Sequence, residues 1–150
     1  MTQEGREQES IKQIMSKTVR TIEKSMSVHS ALDSMIKHDI GSLVVVDDSK
    51  VVGIITERDI MRNIGRETNY LDRKCGDVCS KPVISIEPNT ESWEAFEIML
   101  RNKIRRLPVL DENQRLAGIV TERDLFRWVL RVVYEPNVPK EIVDLISQSG

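Results

Sequence analysis

The sequence predicts a mixed α/β (α+β) fold of two pseudo-symmetric repeats, each a small β-sheet with flanking helices, packed through their sheets. Three observations predict it. The heptad Gly53-Ile54-Ile55-Thr56-Glu57-Arg58-Asp59 recurs as Gly118-Ile119-Val120-Thr121-Glu122-Arg123-Asp124. Upstream, Ser16, Ile22, Ala31, Met35, Leu43 and Val45 meet identical residues 64 positions later, at Ser80, Ile86, Ala95, Met99, Leu107 and Val109. Each copy also places a helical apolar period before two short β-branched runs. A unit too small to close its own core packs against a second copy, and anything bound by one copy then has a counterpart in the other.

The elements follow in order. Residues 1–9 are polar and read as a flexible N-terminus, after which Ile11, Ile14 and Met15 start an amphipathic helix able to cap the pair. The first repeat spans 10–65. Its Val28, Ala31, Leu32, Met35 and Ile36 keep the i, i+3, i+4, i+7, i+8 spacing of an amphipathic helix. Leu43-Val44-Val45-Val46 and Val51-Val52-Gly53-Ile54-Ile55, separated by a polar turn, read as a hairpin, and the next helix starts at Thr56. Residues 66–74 form the linker. The second repeat, 75–133, repeats the pattern with Trp93, Phe96, Met99 and Leu100 on its helix, then Leu107 to Leu110 and Leu116 to Val120 as strands.

From Gly53 onward the offset grows to 65, which puts an extra residue in Asp111-Glu112-Asn113-Gln114-Arg115. A polar turn tolerates it, whereas an insertion within a strand would flip every later side chain. Pro108 cannot donate to a ladder, so its strand lies at an edge or turns its nitrogen outward. Leu125, Phe126, Trp128, Val129 and Val132 cannot all face one side of a helix, so some must meet a fold-back segment or a second chain. The tail, 134–150, is broken by Pro136 and Pro139 and has room for a short helix carrying Ile142, Val143, Leu145 and Ile146.

Composition bounds the function classes. At 39% hydrophobic and 31% charged, 150 residues make one domain-sized core. No apolar run approaches the roughly 18 residues of a membrane span, and the polar start lacks a signal-peptide segment, so a cytoplasmic location is expected. The net charge of −2 exerts no general pull on nucleic acid or anionic membrane. Cys75 and Cys79 supply at most half a zinc site, with His29 and His38 remote in sequence, so they read as reduced thiols one turn apart on a short helix. A cation at His38 would suit the end of its helix. No phosphate loop, His-Glu-x-x-His helix or nucleophile elbow occurs, and the reading is a protein without catalysis, without a cofactor and without a metal.

The repeated Thr-x-x-Asp has two readings. It is a helix capping box, with a threonine N-cap and an acid at N3. It also ends a strand at a helix N-terminus, where free N–H groups, the dipole and the hydroxyl suit a phosphate, and where the carboxylate can accept both hydroxyls of a ribose.

The order strand, helix, hairpin, helix, the two Gly-x-x-Thr-x-x-Asp motifs in register, and Arg105-Arg106-Leu107-Pro108-Val109-Leu110-Asp111 together resemble the tandem cystathionine-β-synthase (CBS) domain pair, or Bateman module, over roughly residues 10 to 130. Arg101 to Val109 is also similar to one repeat of the nucleotide-sensing subunit of AMP-activated protein kinase. The resemblance implies a stand-alone regulatory module of the energy-sensing kind, holding AMP, ADP or ATP in the cleft between repeats, working as a homodimer and acting on an effector protein that the sequence does not name. It implies a first site of Thr56 and Asp59 with Pro82, Val83, Ile84, Arg105 and Arg106, and a second of Thr121 and Asp124 with Val19, Arg20, Gly41 and Ser42. Guanidinium groups bind phosphate through forked, charge-assisted bonds, and Gly41 and Ser42 replace the arginines in the second site, so the two should be unequal. The alternatives are a dimeric interaction protein holding another adenosyl ligand, such as S-adenosylmethionine, and a nucleic-acid role resting on Arg101, Lys103, Arg105 and Arg106 and opposed by the net charge.

Overall fold

A computed structural model describes residues 9–81, 83–134 and 141. The described chain forms two compact units. One gathers Thr18–Ile84 with Asn113–Leu116, and the other holds the described residues of Met1–Lys17, Ser85–Glu112 and Ala117–Gly150.

In the unit of the first repeat, strand β1 (Thr21–Glu23) runs parallel to β2 (Ser42–Asp47), which pairs antiparallel with β3 (Lys50–Thr56) in the order β1-β2-β3. Helix α2 (Val28–His38) opens on Ser27, whose hydroxyl accepts from Ser30 N–H at 3.1 Å. It closes on Asp39 in the left-handed region, with φ 51°. Val28, Ala31 and Met35 are buried against Leu43, Val45, Ile55 and Ile60. The turn between β2 and β3 has positive φ at both Asp48 and Ser49, the two-residue hairpin that matches strand twist. Helix α3 (Glu57–Ile64) follows β3 directly, and after a 3-10 turn (Tyr70–Asp72) comes the short helix α4 (Cys75–Val78).

The unit of the second repeat follows the same plan with α5 (Ser92–Asn102), β4 (Arg106–Leu110), β5 (Leu116–Thr121) and α6 (Glu122–Val129), the last running into a π turn (Leu130–Tyr134). Lys103 closes α5 in the left-handed region as Asp39 closes α2. The added residue lies in the turn between β4 and β5, where insertion leaves strand faces unchanged. One strand is shortened, and Pro108 supplies the reason. In the first unit Val44 N–H donates to Arg20 O at 3.2 Å. The matching position is Pro108, which has no N–H, and the counterpart of β1 shrinks to a single parallel bridge between Ile86 and Val109.

Each unit is closed by a segment from elsewhere in the chain. Ser80 pairs with Ile54 on β3 in the first, bringing α4 with it, through Ser80 N–H to Ile54 O at 2.9 Å. Ser16 pairs with Ile119 on β5 in the second, bringing the N-terminal helix α1 (Ile11–Ile14), whose Ile11 is fully buried. Thus α1 builds into the core of the second repeat's unit rather than capping from outside. The repeated glycines make room for these crossing segments. A Cβ on Gly53 would lie 2.9 Å from Ser80 O, and one on Gly118 would lie 2.7 Å from Ser16 O, distances that real Cβ atoms do not adopt.

Helix faces differ from the expectation at several positions. Ile36 is 70% exposed and Leu100 65%, so the buried stripe of α5 is Ser92, Ala95 and Met99, while Trp93 remains exposed. Of the apolar run on α6, Leu125 and Trp128 are fully buried and Phe126 is exposed. Local periodicity marks apolar residues, but only packing selects which of them turn inward. Among the described residues, no helix is long and apolar enough to cross a membrane. Apart from Glu141, the short helix expected over 140–147 lies outside the described residues, as does the flexible N-terminus expected over 1–9 apart from Glu9, whose carbonyl accepts from both the N–H and the hydroxyl of Ser92.

Both cysteines are free and buried, Cys75 within α4 and Cys79 at its C-cap. Among the described residues no cluster of His, Cys, Asp or Glu could hold a metal. Burial, with Cys79 adding to it, pushes the Cys75 thiol from 9.0 up to about 11. In that interval the unfolded thiol ionises and the folded one does not, so the folded state binds more protons and stability falls as pH rises. Urea midpoints measured between about pH 8 and about pH 11 should therefore drop more steeply in the native chain than in Cys75→Ala. Equal slopes would contradict a buried, protonated Cys75.

Candidate functional site

Both copies of the motif form the capping box that their spacing predicts. In the first, Thr56 N–H and Oγ1–H both donate to Asp59 Oδ2, at 3.1 and 2.9 Å, and Asp59 N–H donates to Thr56 Oγ1 at 3.2 Å. In the second, Thr121 N–H donates to Asp124 Oδ2 at 2.9 Å and Asp124 N–H to Thr121 Oγ1 at 3.2 Å. Cap and carboxylate are thus locked together, which fixes the acid beside the end of its strand through Oδ2.

The helix ends are less open to anions than the sequence suggests. Glu57 N–H donates to Gly41 O at 2.9 Å, and Glu122 N–H to Arg105 O at 2.8 Å. With the third residue's N–H given to threonine, two first-turn donors of each helix are already used. The free N–H groups expected there are therefore present only in part.

These same bonds bring other candidate residues to each motif. In the first unit, Ser42 pairs with Thr56 across the hairpin, so Gly41 and Ser42 flank the start of α3. In the second, Arg105 adjoins the start of α6, its Nε 3.7 Å from Glu122 Oε2 in an exposed ion pair. Arg106 opens β4 half-buried. Val19 and Val83 are half-buried, whereas Arg20 and Ile84 are exposed. Pro82 lies outside the described residues. Each unit therefore joins its own motif to its own second-strand start. Val19, Arg20, Gly41, Ser42, Thr56, Asp59, Val83 and Ile84 belong to one unit, and Arg105, Arg106, Thr121 and Asp124 to the other.

The basic cluster is partly self-neutralised, since Arg101 pairs with Glu97 at 2.5 Å and Arg105 with Glu122. His38 does not behave as the expected helix-end cation: partial burial, then the charges of Arg20 and Lys37, lower its pKa.

Three residues near the motifs carry no signal in sequence. Tyr70 is buried, and burial followed by the Asp59 charge raises its pKa. Asn63 donates from Nδ2 to Asp59 O at 2.7 Å. Arg127 donates to Asp124 Oδ1 at 3.1 Å. Arg62 stands at the same spacing from Asp59 and makes no ion pair among the described residues, so spacing could not have singled out Arg127.

Comparison with known proteins places these features in a family. The family model for the CBS domain matches twice, over residues 11–66 and 75–131. An uncharacterized 17.7 kDa protein of Acidianus ambivalens is 37% identical over 123 residues, covering 81% of this chain and 74% of that protein. Inosine-5′-monophosphate dehydrogenase of Methanocaldococcus jannaschii is 37% identical over 116 residues, 77% of this chain but 22% of the enzyme. The crystal structure of the CBS domain pair of protein MJ0100, in complex with 5′-methylthioadenosine and S-adenosyl-L-methionine, superimposes with a TM-score of 0.72 at 31% identity, covering 79% of this chain and 94% of that one.

Proposed function

This chain belongs to the CBS-domain family, with two CBS domains in tandem, and from that premise we propose that it is a regulatory module that binds an adenosyl ligand and performs no chemistry of its own. The observation that carries the reading is the duplicated Thr-x-x-Asp box, which holds a carboxylate rigidly at a strand end in both repeats. A carboxylate so placed can accept two ribose hydroxyls without first paying the entropy of ordering. Support comes also from the adenosyl compounds held by the CBS pair of MJ0100.

We assign AMP, ADP or ATP to this chain as the finer reading. One site would join Thr56 and Asp59 to Pro82, Val83, Ile84, Arg105 and Arg106, and the other would join Thr121 and Asp124 to Val19, Arg20, Gly41 and Ser42. The first has two guanidinium groups for phosphate, and the second has Gly41 and Ser42 in their place. A less charged ligand, S-adenosylmethionine or methylthioadenosine, suits the second, and the MJ0100 complex favours keeping that reading beside the nucleotide one. Mass spectrometry of small molecules released from the purified protein tests both. An adenosyl compound is expected, and a protein that neither releases one nor binds added AMP or S-adenosylmethionine would refute the proposal.

The same reading makes the protein a homodimer that acts on an effector protein. Ile36 and Leu100 occupy matching positions of the two repeats, as do Met61 and Phe126, and all four are exposed. An isologous contact is the commonest way to cover such surface. Light scattering should give twice 17.2 kDa, and Phe126→Glu should weaken the dimer with helicity kept, because this side chain is exposed within its own unit. A mass of 17.2 kDa for the unaltered chain at micromolar concentration would contradict it.

A further inference from the structure

The two boxes are identical in sequence through Thr-Glu-Arg-Asp and carry an arginine at the same distance beyond, Arg62 and Arg127, yet their carboxylates differ. Asp59 uses only Oδ2, and among the described residues it makes no ion pair. Asp124 has both oxygens engaged, Oδ2 by Thr121 N–H and Oδ1 by the Arg127 guanidinium. The side chains of Arg127 and Asp124 are only 32% and 15% exposed, and Arg127 Nε is buried with no hydrogen-bond partner among the described residues. Pairs between fully solvated groups are worth little, but here water competes poorly for either partner. Arg62, by contrast, is exposed.

Resting on the adenosyl reading above, we infer that Arg127 is the specificity-determining residue of the second motif: it occupies the acceptor that a ribose would use, so an adenosyl ligand must displace the guanidinium before it can bind Asp124. At Asp59 no such displacement is needed. The apparent affinity at the second motif is then the intrinsic one reduced by the fraction of molecules in which Asp124 is open. The absence of arginines at Gly41 and Ser42 weakens phosphate binding; Arg127 weakens ribose binding, and the two effects are separable by the ligand chosen.

Adenosine is the suitable probe, because it has the ribose and no phosphate whose attraction to Arg127 would oppose the gain. In an Asp59→Asn background, which leaves the second motif to report alone, calorimetry should show Arg127→Met binding adenosine about fivefold to tenfold more tightly than the background protein. Arg127→Gln, which retains length and polarity without charge, should give the same gain if Arg127→Met folds poorly. Adding Asp124→Asn should abolish the gain, a dependence that a general loosening of the fold would not produce, and Arg62→Met should leave adenosine binding unchanged. Unchanged or weaker adenosine binding in both Arg127 variants overturns the inference, the weaker case making Arg127 a ligand-holding group instead. If the unaltered chain binds adenosine or AMP through Asp59 while the Arg127 variants show no gain, the inference alone fails; if neither compound binds any of these proteins, the adenosyl reading fails and takes the inference with it.

Discussion

Replacing Trp128 by alanine should destabilise the protein by about 3–5 kcal/mol, the range for emptying a fully buried tryptophan site. Trp128 has no exposed surface, and its ring meets that of Trp93 edge to face, with centroids 4.8 Å apart and planes at 73°. Such a contact contributes roughly 0.5–1.5 kcal/mol beyond the area it buries. One effect acts in the other direction. Its indole N–H is buried without a partner among the described residues, and removing an unsatisfied donor recovers part of the loss. The expected value therefore lies toward the lower end of the range. Urea unfolding measures it, and hydrogen exchange should show protection lost first in the unit that holds α5 and α6. A loss below about 1 kcal/mol would mean that the cavity collapses or that Trp93 refills it. The matching residue of the first repeat is Asn63, so symmetric helices carry unlike loads: a packing anchor in one copy and a hydrogen bond to the motif's own backbone in the other.

Asp59→Ala should weaken AMP binding by roughly 10–150-fold, corresponding to about 1.5–3 kcal/mol for losing a charged acceptor of two ribose hydroxyls. It also breaks the cap, since Thr56 N–H and its hydroxyl both donate to this carboxylate. That loss is about 1 kcal/mol by comparison with helix N-caps. The two effects separate in Asp59→Asn, which retains an oxygen for the cap and lacks the charge. Calorimetry on variants whose helicity matches the unaltered chain decides the matter. AMP affinity unchanged in Asp59→Ala would leave the box as a cap and nothing more.

Much of the architecture was legible in one dimension. Thr-x-x-Asp, the β-branched runs and the polar turns act through bonds between residues one to four apart, so the capping boxes at Thr56 and Thr121 and both hairpins follow from local pattern. The candidate site was legible to the same depth. Its anchoring threonines and aspartates lie where spacing puts them, at the junction of strand and helix. The shortened first strand of the second repeat was half legible, because Pro108 announces a missing donor but does not say which neighbour goes without it.

What the sequence by itself determined was the repeat, the order of its elements and the chemistry of the two boxes, because each of these depends on neighbours along the chain. The tertiary structure alone decided that Ser16 closes the second repeat's strand and Ser80 the first's, that Ile36 and Leu100 face outward, and that Arg127 pairs with Asp124 while Arg62 makes no ion pair among the described residues. Ser16 and Ile119 are distant in sequence, and nothing in either residue encodes the other. Identical local spacing at Arg62 and Arg127 gives opposite outcomes because the surroundings differ: the strength of an ion pair depends on how much water reaches it, and only packing sets that.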